Sequence, residues 1–221
     1  MYKKYRKYFI LLSLLFTVAA NVPLSSQYRR KPAGAGFRVG PYAGLSLSKM
    51  FLKKNALEYV AGNVVGATGG VLAEYVFGDV VALQSGALFT QAGTSSEVTI
   101  DRQLHNATAH LQYIHIPLML APRFEQDQVT IHLNFGGFAG YSIGGTEKYT
   151  IAGETQYSSA AFSGNITYRK VDVGLCIGGG LEYERIMFIF NYKYGLANVA
   201  RLPDIMNNKI ITFSVGYMFG N

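Results

Sequence analysis

The sequence has no tryptophan, a single cysteine and only 15% charged residues over its 221 positions. The lone thiol, Cys176, cannot form an internal disulfide. Long apolar runs are missing too. The one run of note, Phe9 to Ala20, is too short for a membrane-spanning helix, and no other window approaches eighteen uncharged apolar residues. Acidic residues are absent before Pro32, where Lys3, Lys4, Arg6, Lys7, Arg29, Arg30 and Lys31 supply seven of the 20 cations, leaving 13 cations against 13 acids in the remainder. The formal charge of +7 therefore belongs to the N-terminus, and the rest of the chain offers no basic footprint to nucleic acid.

The basic, then apolar, then small and polar order of the first residues predicts a secretory signal peptide over 1–26, with cleavage after Ala20 or Ser26 and preference for Ser26. Neither point has a cysteine nearby, so a lipid-anchored form is not expected. A basic periplasmic leader, 27–36, would follow, and then one domain over 37–221. The 25 Gly, 16 Tyr and 14 Phe favour sheet and turns over helix.

The plainest strand pattern lies between Val171 and Leu196. Val171, Val173, Leu175, Ile177, Leu181 and Tyr183 alternate with Asp172, Gly174, Cys176, Gly178, Gly180 and Glu182. After Glu184 and Arg185 the alternation resumes with Ile186, Phe188, Phe190, Tyr192 and Tyr194 on one parity. Each arm is about the ten residues that a tilted strand needs to cross a bilayer. The same period recurs after Phe37, Val65, Val81, Leu111, Val129 and Ile211, giving eight strands. Their connections alternate long and short. The long ones are read as polar loops at Lys49–Asn63, Gly93–Ala109, Gly144–Arg169 and Ala197–Asn208, and a bulge is expected at Pro117, which lacks a ladder donor. The expected fold is all-β: an eight-stranded antiparallel up-and-down transmembrane β-barrel.

Charge decides which face meets lipid. The apolar parity of the eight strands carries no Asp, Glu, Lys, Arg or His, and Ser85 is its one clearly polar residue. The other parity carries Arg38, Glu74, Arg123, Asp172, Glu182 and Lys193 together with His115, His132, Gln84, Asn134 and Asn191. A charge facing lipid at mid-depth costs about 2–4 kcal/mol, so the apolar rows should face outward and the charges the lumen. Aromatics near strand ends (Phe77, Tyr141, Tyr183, Tyr194 and Phe219) would form interfacial girdles.

Six segments, GPYAGLSLS (40–48), YIHIPLML (113–120), FGGFAGY (135–141), VDVGLCIGGGLEY (171–183), YKYGLANV (192–199) and ITFSVGYMF (211–219), are together similar to the PorT-like outer-membrane β-barrel proteins. His115 stands where that family's YxEIP motif carries an acid, so no role of that carboxylate transfers. The resemblance implies export to the cell outer membrane of a Gram-negative bacterium, contact with outer-membrane lipid, and a scaffold or interaction role, with secretion or envelope-assembly proteins as partners. The terminal aromatic Phe219, followed by Gly220 and Asn221, resembles a signal for the barrel-assembly machinery.

An eight-stranded barrel is filled by its own side chains. The inward charges are therefore expected to neutralise one another, Arg38 with Glu74 and Lys193 with Asp172, a proton or ion path being the alternative. A small-solute porin or ligand-binding barrel and a lipid-modifying enzyme are the competing functions. His132, Ser142 and Asp172 could be imagined as a hydrolase set, but no nucleophile-elbow motif supports it. His115 and His132 lack the further ligands of a zinc site. No catalysis, metal or cofactor is expected. Functional contacts are expected on the long loops, with Lys148, Tyr149, Tyr157 and Tyr168 as candidates.

Overall fold

The structure, a computed structural model, describes residues 35–53, 60–78, 80–100, 103–126, 128–151, 154–158, 169–199 and 205–220. The expected signal peptide, most of the expected leader and Tyr168 lie outside the described residues. The strands in chain order are β1 (Gly36–Lys53), β2 (Val60–Gly62), β3 (Val64–Phe77), β4 (Val81–Ile100), β5 (Gln103–Gln126), β6 (Val129–Ile151), β7 (Glu154–Ser158), β8 (Val171–Tyr183), β9 (Ile186–Gly195), β10 (Ile205–Tyr217) and β11 (Phe219–Gly220).

Eight of them form the staves of a closed antiparallel ring. Neighbours in sequence pair from β1 through β3, β4, β5, β6, β8 and β9 to β10, and β1 closes the ring against β10 with Leu45 opposite Phe213. Closure leaves the transmembrane wall with no open edge, the condition for a sheet to survive in hydrocarbon. Short turns join β3 to β4, β5 to β6 and β8 to β9. In the last of these, Glu184 takes a left-handed conformation (φ 58°), which lets two residues reverse the chain.

The rows face as the charge pattern requires. Leu45, Leu175 and Ile177 point outward with about six-tenths of their surface exposed, whereas Glu74, Asp172 and Lys193 inside are 2% exposed or less. The aromatics expected as girdles are all exposed, and beside the short turns Tyr75 packs edge-on against Phe77 and Tyr217 against Phe219. Ser85, the polar exception on the outward parity, donates its hydroxyl to the Pro117 carbonyl at 2.8 Å, so it presents no unmet donor to lipid.

Two expectations need correction. The register irregularity is not at Pro117 but between Gln112 and Tyr113, where β6 inserts Ile143 between the partners Ser142 and Gly144. Pro117 keeps a partner, Phe138, on that side. Among the described residues the long connections are also largely strand. β4 and β5 continue pairing out to Ile100 and Gln103, β6 runs to Ile151, β1 reaches Lys53, and β2 and β7 add to the outer edges of β4 and β6. The wall thus rises beyond the apolar band as a five-stranded sheet, β2-β4-β5-β6-β7. Polarity suggested loops, but a strand outside the membrane has water available to both faces and needs no apolar row.

Replacing Ile177 with Arg, mid-band and outward, should cost about 2–4 kcal/mol in denaturant unfolding from lipid vesicles. Thr146→Arg, exposed on the raised part of β6, should change stability by less than about 0.5 kcal/mol. Equal effects would mean that the apolar rows do not meet lipid.

Candidate functional site

Glu74, Arg123 and Glu182 lie within three residues of a short turn, and Arg38 lies two residues into β1 at the same end. Inward parity brings all four side chains into one mouth of the lumen, where they close a ring of alternating charge. Arg38 Nε is 3.1 Å from Glu74 Oε1 and its Nη2 is 2.7 Å from Glu182 Oε1. Arg123 completes the ring with Nη1 at 2.8 Å from Glu74 Oε1 and Nη2 at 3.4 Å from Glu182 Oε2. Two neighbours brace it: Gln84 donates to Glu74 at 3.0 Å, and His132 Nε2 lies 3.1 Å from Glu182 Oε2. Six of the eight staves therefore contribute to one crossbar, with two cations balancing two anions.

The Arg38–Glu74 pair expected from the sequence forms; the larger ring was not foreseen. The signal for it was the common distance of these residues from the short turns.

A second polar group sits elsewhere in the lumen. Lys193 Nζ lies 3.5 Å from His115 Nδ1, whose ring stacks on Tyr113 with centroids 5.4 Å apart. Asp172 accepts from Asn208 Nδ2 at 2.8 Å. No ion pair joins Lys193 to Asp172 among the described residues, contrary to expectation. The register explains this: Lys193 lies opposite Cys176, four residues along β8 from Asp172. Asn134 and Asn191 approach each other at 3.5 Å. Close approach explains two of the lumen glycines, since a Cβ at Gly140 would strike the His115 ring and one at Gly178 the Asn191 amide.

Apolar layers separate these groups. Met50, Ala92, Leu111, Tyr113 and Ile210 form one buried cluster, Tyr42, Leu72, Leu88, Met187, Ile189 and Met218 another, and Cys176 packs with Met119 and Phe138. The conceivable hydrolase set is not assembled. His132 is engaged with Glu182, Ser142 donates to the Gln112 carbonyl at 3.0 Å, and Asp172 is held by Asn208. His115 and His132 also have separate partners, and no group of three or more metal-ligating side chains occurs among the described residues.

On the raised sheet, Lys148 lies over the Tyr157 ring, 5.9 Å from its centroid, and Tyr157 is among the most exposed large side chains. Beside them Tyr149 donates its hydroxyl to Glu147. Partial burial, and then that carboxylate, push the phenol up to about 12.

Residues 21–201 match the family model described as an outer membrane protein beta-barrel domain. No curated protein matches the sequence. Among solved structures, the chain is similar to Ail, the attachment invasion locus protein of Yersinia pestis, at 14% identity and TM-score 0.42, covering 82% of this chain and 98% of that one. It is similar to OprG from Pseudomonas aeruginosa at 11% identity and TM-score 0.42, covering 84% and 96% respectively. For Neisserial surface protein A the identity is 12% and the TM-score 0.39, covering 83% and 97%.

The ring makes a direct prediction. Arg123→Met leaves a buried carboxylate underbalanced and should cost about 3–5 kcal/mol in reversible unfolding. Adding Glu182→Gln restores neutrality, and the double variant should lose less than the sum of the singles by about 0.5–3 kcal/mol. Strict additivity would show that the ring does not act as a unit.

Proposed function

The chain belongs to the outer membrane protein beta-barrel domain family, and from that premise we propose that it is a non-conducting, non-catalytic scaffold that meets protein partners through its raised sheet. It resides in the outer membrane. Outer-membrane barrels keep short turns in the periplasm and long connections outside, so the raised sheet faces the exterior.

The observation that carries this reading is the contrast between the two parts of the molecule. The lumen is crossed by an ion-pair ring at one mouth and by apolar layers above it, an arrangement suited to stability rather than passage. The raised sheet exposes Lys148 and Tyr157 on an extension of the wall, where β7 pairs with β6. Tyrosine, as at Tyr157 on β7, is a residue type enriched in protein contacts, and an edge strand can add a partner's extended segment by backbone pairing. Within the family, the PorT-like segments favour a role in protein secretion or envelope assembly, with the barrel-assembly machinery as the partner that inserts the chain.

Photo-crosslinking probes placed at Tyr157 and at His110, exposed on β5 opposite Thr146, should give discrete protein adducts in living cells, while a probe at Ile177 should give none. Purified protein in planar bilayers should show no stepwise conductance. Adducts confined to the periplasmic turns, or defined conductance steps in the unaltered barrel, would overturn the proposal.

A further inference from the structure

On the inner face of the raised sheet a buried acid stands without a cation. Beyond the register shift of β6, Glu147 and Tyr149 turn to the same side as Ala109 and Ala107 on β5 and Thr94 on β4. Glu147 is 7% exposed, and Tyr149 donates its hydroxyl to the carboxylate. Lys148, its neighbour in sequence, points to the opposite face and lies over Tyr157. No cation lies at ion-pair distance from Glu147 among the described residues. A carboxylate this far from water is ordinarily paired, because burying an unbalanced charge is costly.

The register sets a second unmet group in line with it. Thr94 pairs with Ala109, and Ala109 with Glu147, so the three stand in one row across β4, β5 and β6. Thr94 Oγ1 is buried and has no hydrogen-bond partner. At a strand spacing of about 4.8 Å, the backbones of Thr94 and Glu147 lie roughly 10 Å apart, with only the Ala109 methyl group between them. An ammonium with hydrogen bonds of about 2.8 Å to either side suits two side chains reaching inward from those backbones. One such group would meet both the charge of Glu147 and the lone pairs of Thr94. Two oxygen-bearing side chains match the three donors of a primary ammonium and are too few for calcium or magnesium. The next row outward, Ala107 and the Tyr149 ring, is partly exposed and can line an aliphatic stem, while the buried cluster around Leu111 and Ala92 forms an apolar floor.

We infer that this row is a binding site for a primary ammonium carried on an aliphatic stem, with Glu147 as its counter-ion and Thr94 as a second acceptor. The site lies on the face opposite Lys148 and Tyr157, so the inference stands apart from the protein contacts proposed above.

The test is isothermal titration of the full barrel in nanodiscs of phosphatidylcholine, which carries no net charge. The ligands are 1,5-diaminopentane and the peptide acetyl-Gly-Lys-Gly-amide. At least one should bind saturably: the diamine alone if the natural ligand is a free polyamine, the peptide alone if it is a lysine side chain. Glu147→Gln should weaken that binding about tenfold or more, and Thr94→Val several-fold, as expected for hydrogen bonds to a charged group. Glu184→Gln, in a turn at the opposite end, should bind as the unaltered protein does. The same peptide with norleucine in place of lysine should not bind. Heat-modifiable gel migration checks that each variant is folded, and Thr94→Val serves if Glu147→Gln does not fold. Absence of saturable binding by both amines, undiminished binding by the folded variants, or equal binding of the norleucine peptide would each overturn the inference.

Discussion

A membrane barrel of this size must place every ionic group where hydrocarbon cannot reach it, and the rest of the architecture follows from that constraint. Within the apolar band the outward rows carry no charge, so the charges of that band turn into a narrow lumen where isolated burial would be severely unfavourable. Arg38, Glu74, Arg123 and Glu182 meet that requirement as a neutral ring in which each guanidinium touches both carboxylates. Because the four come from β1, β3, β5 and β8, the ring also ties distant staves together across the lumen. Backbone pairing alone, which joins only neighbours, cannot do this.

The same constraint shapes the remainder of the interior. Among the described residues Lys193 has no carboxylate at ion-pair distance, and it instead shares its surroundings with His115 and, on β8, Cys176. Apolar clusters on either side of the polar groups keep the interior layered. Such a lumen gives the chain a rigid, occupied cylinder, and variable recognition is left to the parts that stand in water. The raised sheet extends that wall outward, since β4, β5 and β6 each continue as one strand from the lipid-facing part into the exposed sheet, with one register shift between Gln112 and Tyr113.

Much of this was legible in the sequence because a barrel wall writes its environment into every second residue. The eight staves, their closure into one ring and the inward direction of Glu74, Asp172 and Lys193 all follow from parity and charge. Parity, however, gives a residue's face and not its height relative to non-neighbouring strands. That is why Arg38 with Glu74, on paired strands at matching positions, was recoverable, while Arg123 with Glu182 was not. The Lys193–Asp172 expectation failed for the same reason, as an unseen register of four residues separated them. The raised sheet was misread because the alternation rule depends on lipid, and outside lipid a strand such as the end of β4 or β6 no longer carries the signature. At Gln112 and Ile143 a bulge shifts the register of β6 just where the wall leaves the apolar band, which scrambles the parity further.

The account rests on orientation, apolar rows to lipid and ionic rows within, and the absence of tryptophan makes that directly measurable. Phe190 faces outward and Phe138 faces the lumen, so Phe190→Trp and Phe138→Trp each provide a single tryptophan that can be excited selectively over the 16 tyrosines. Reconstituted in vesicles with brominated acyl chains, the first should be strongly quenched and the second little affected. Quenching of the tryptophan at 138 with protection of that at 190 would contradict the orientation and everything derived from it.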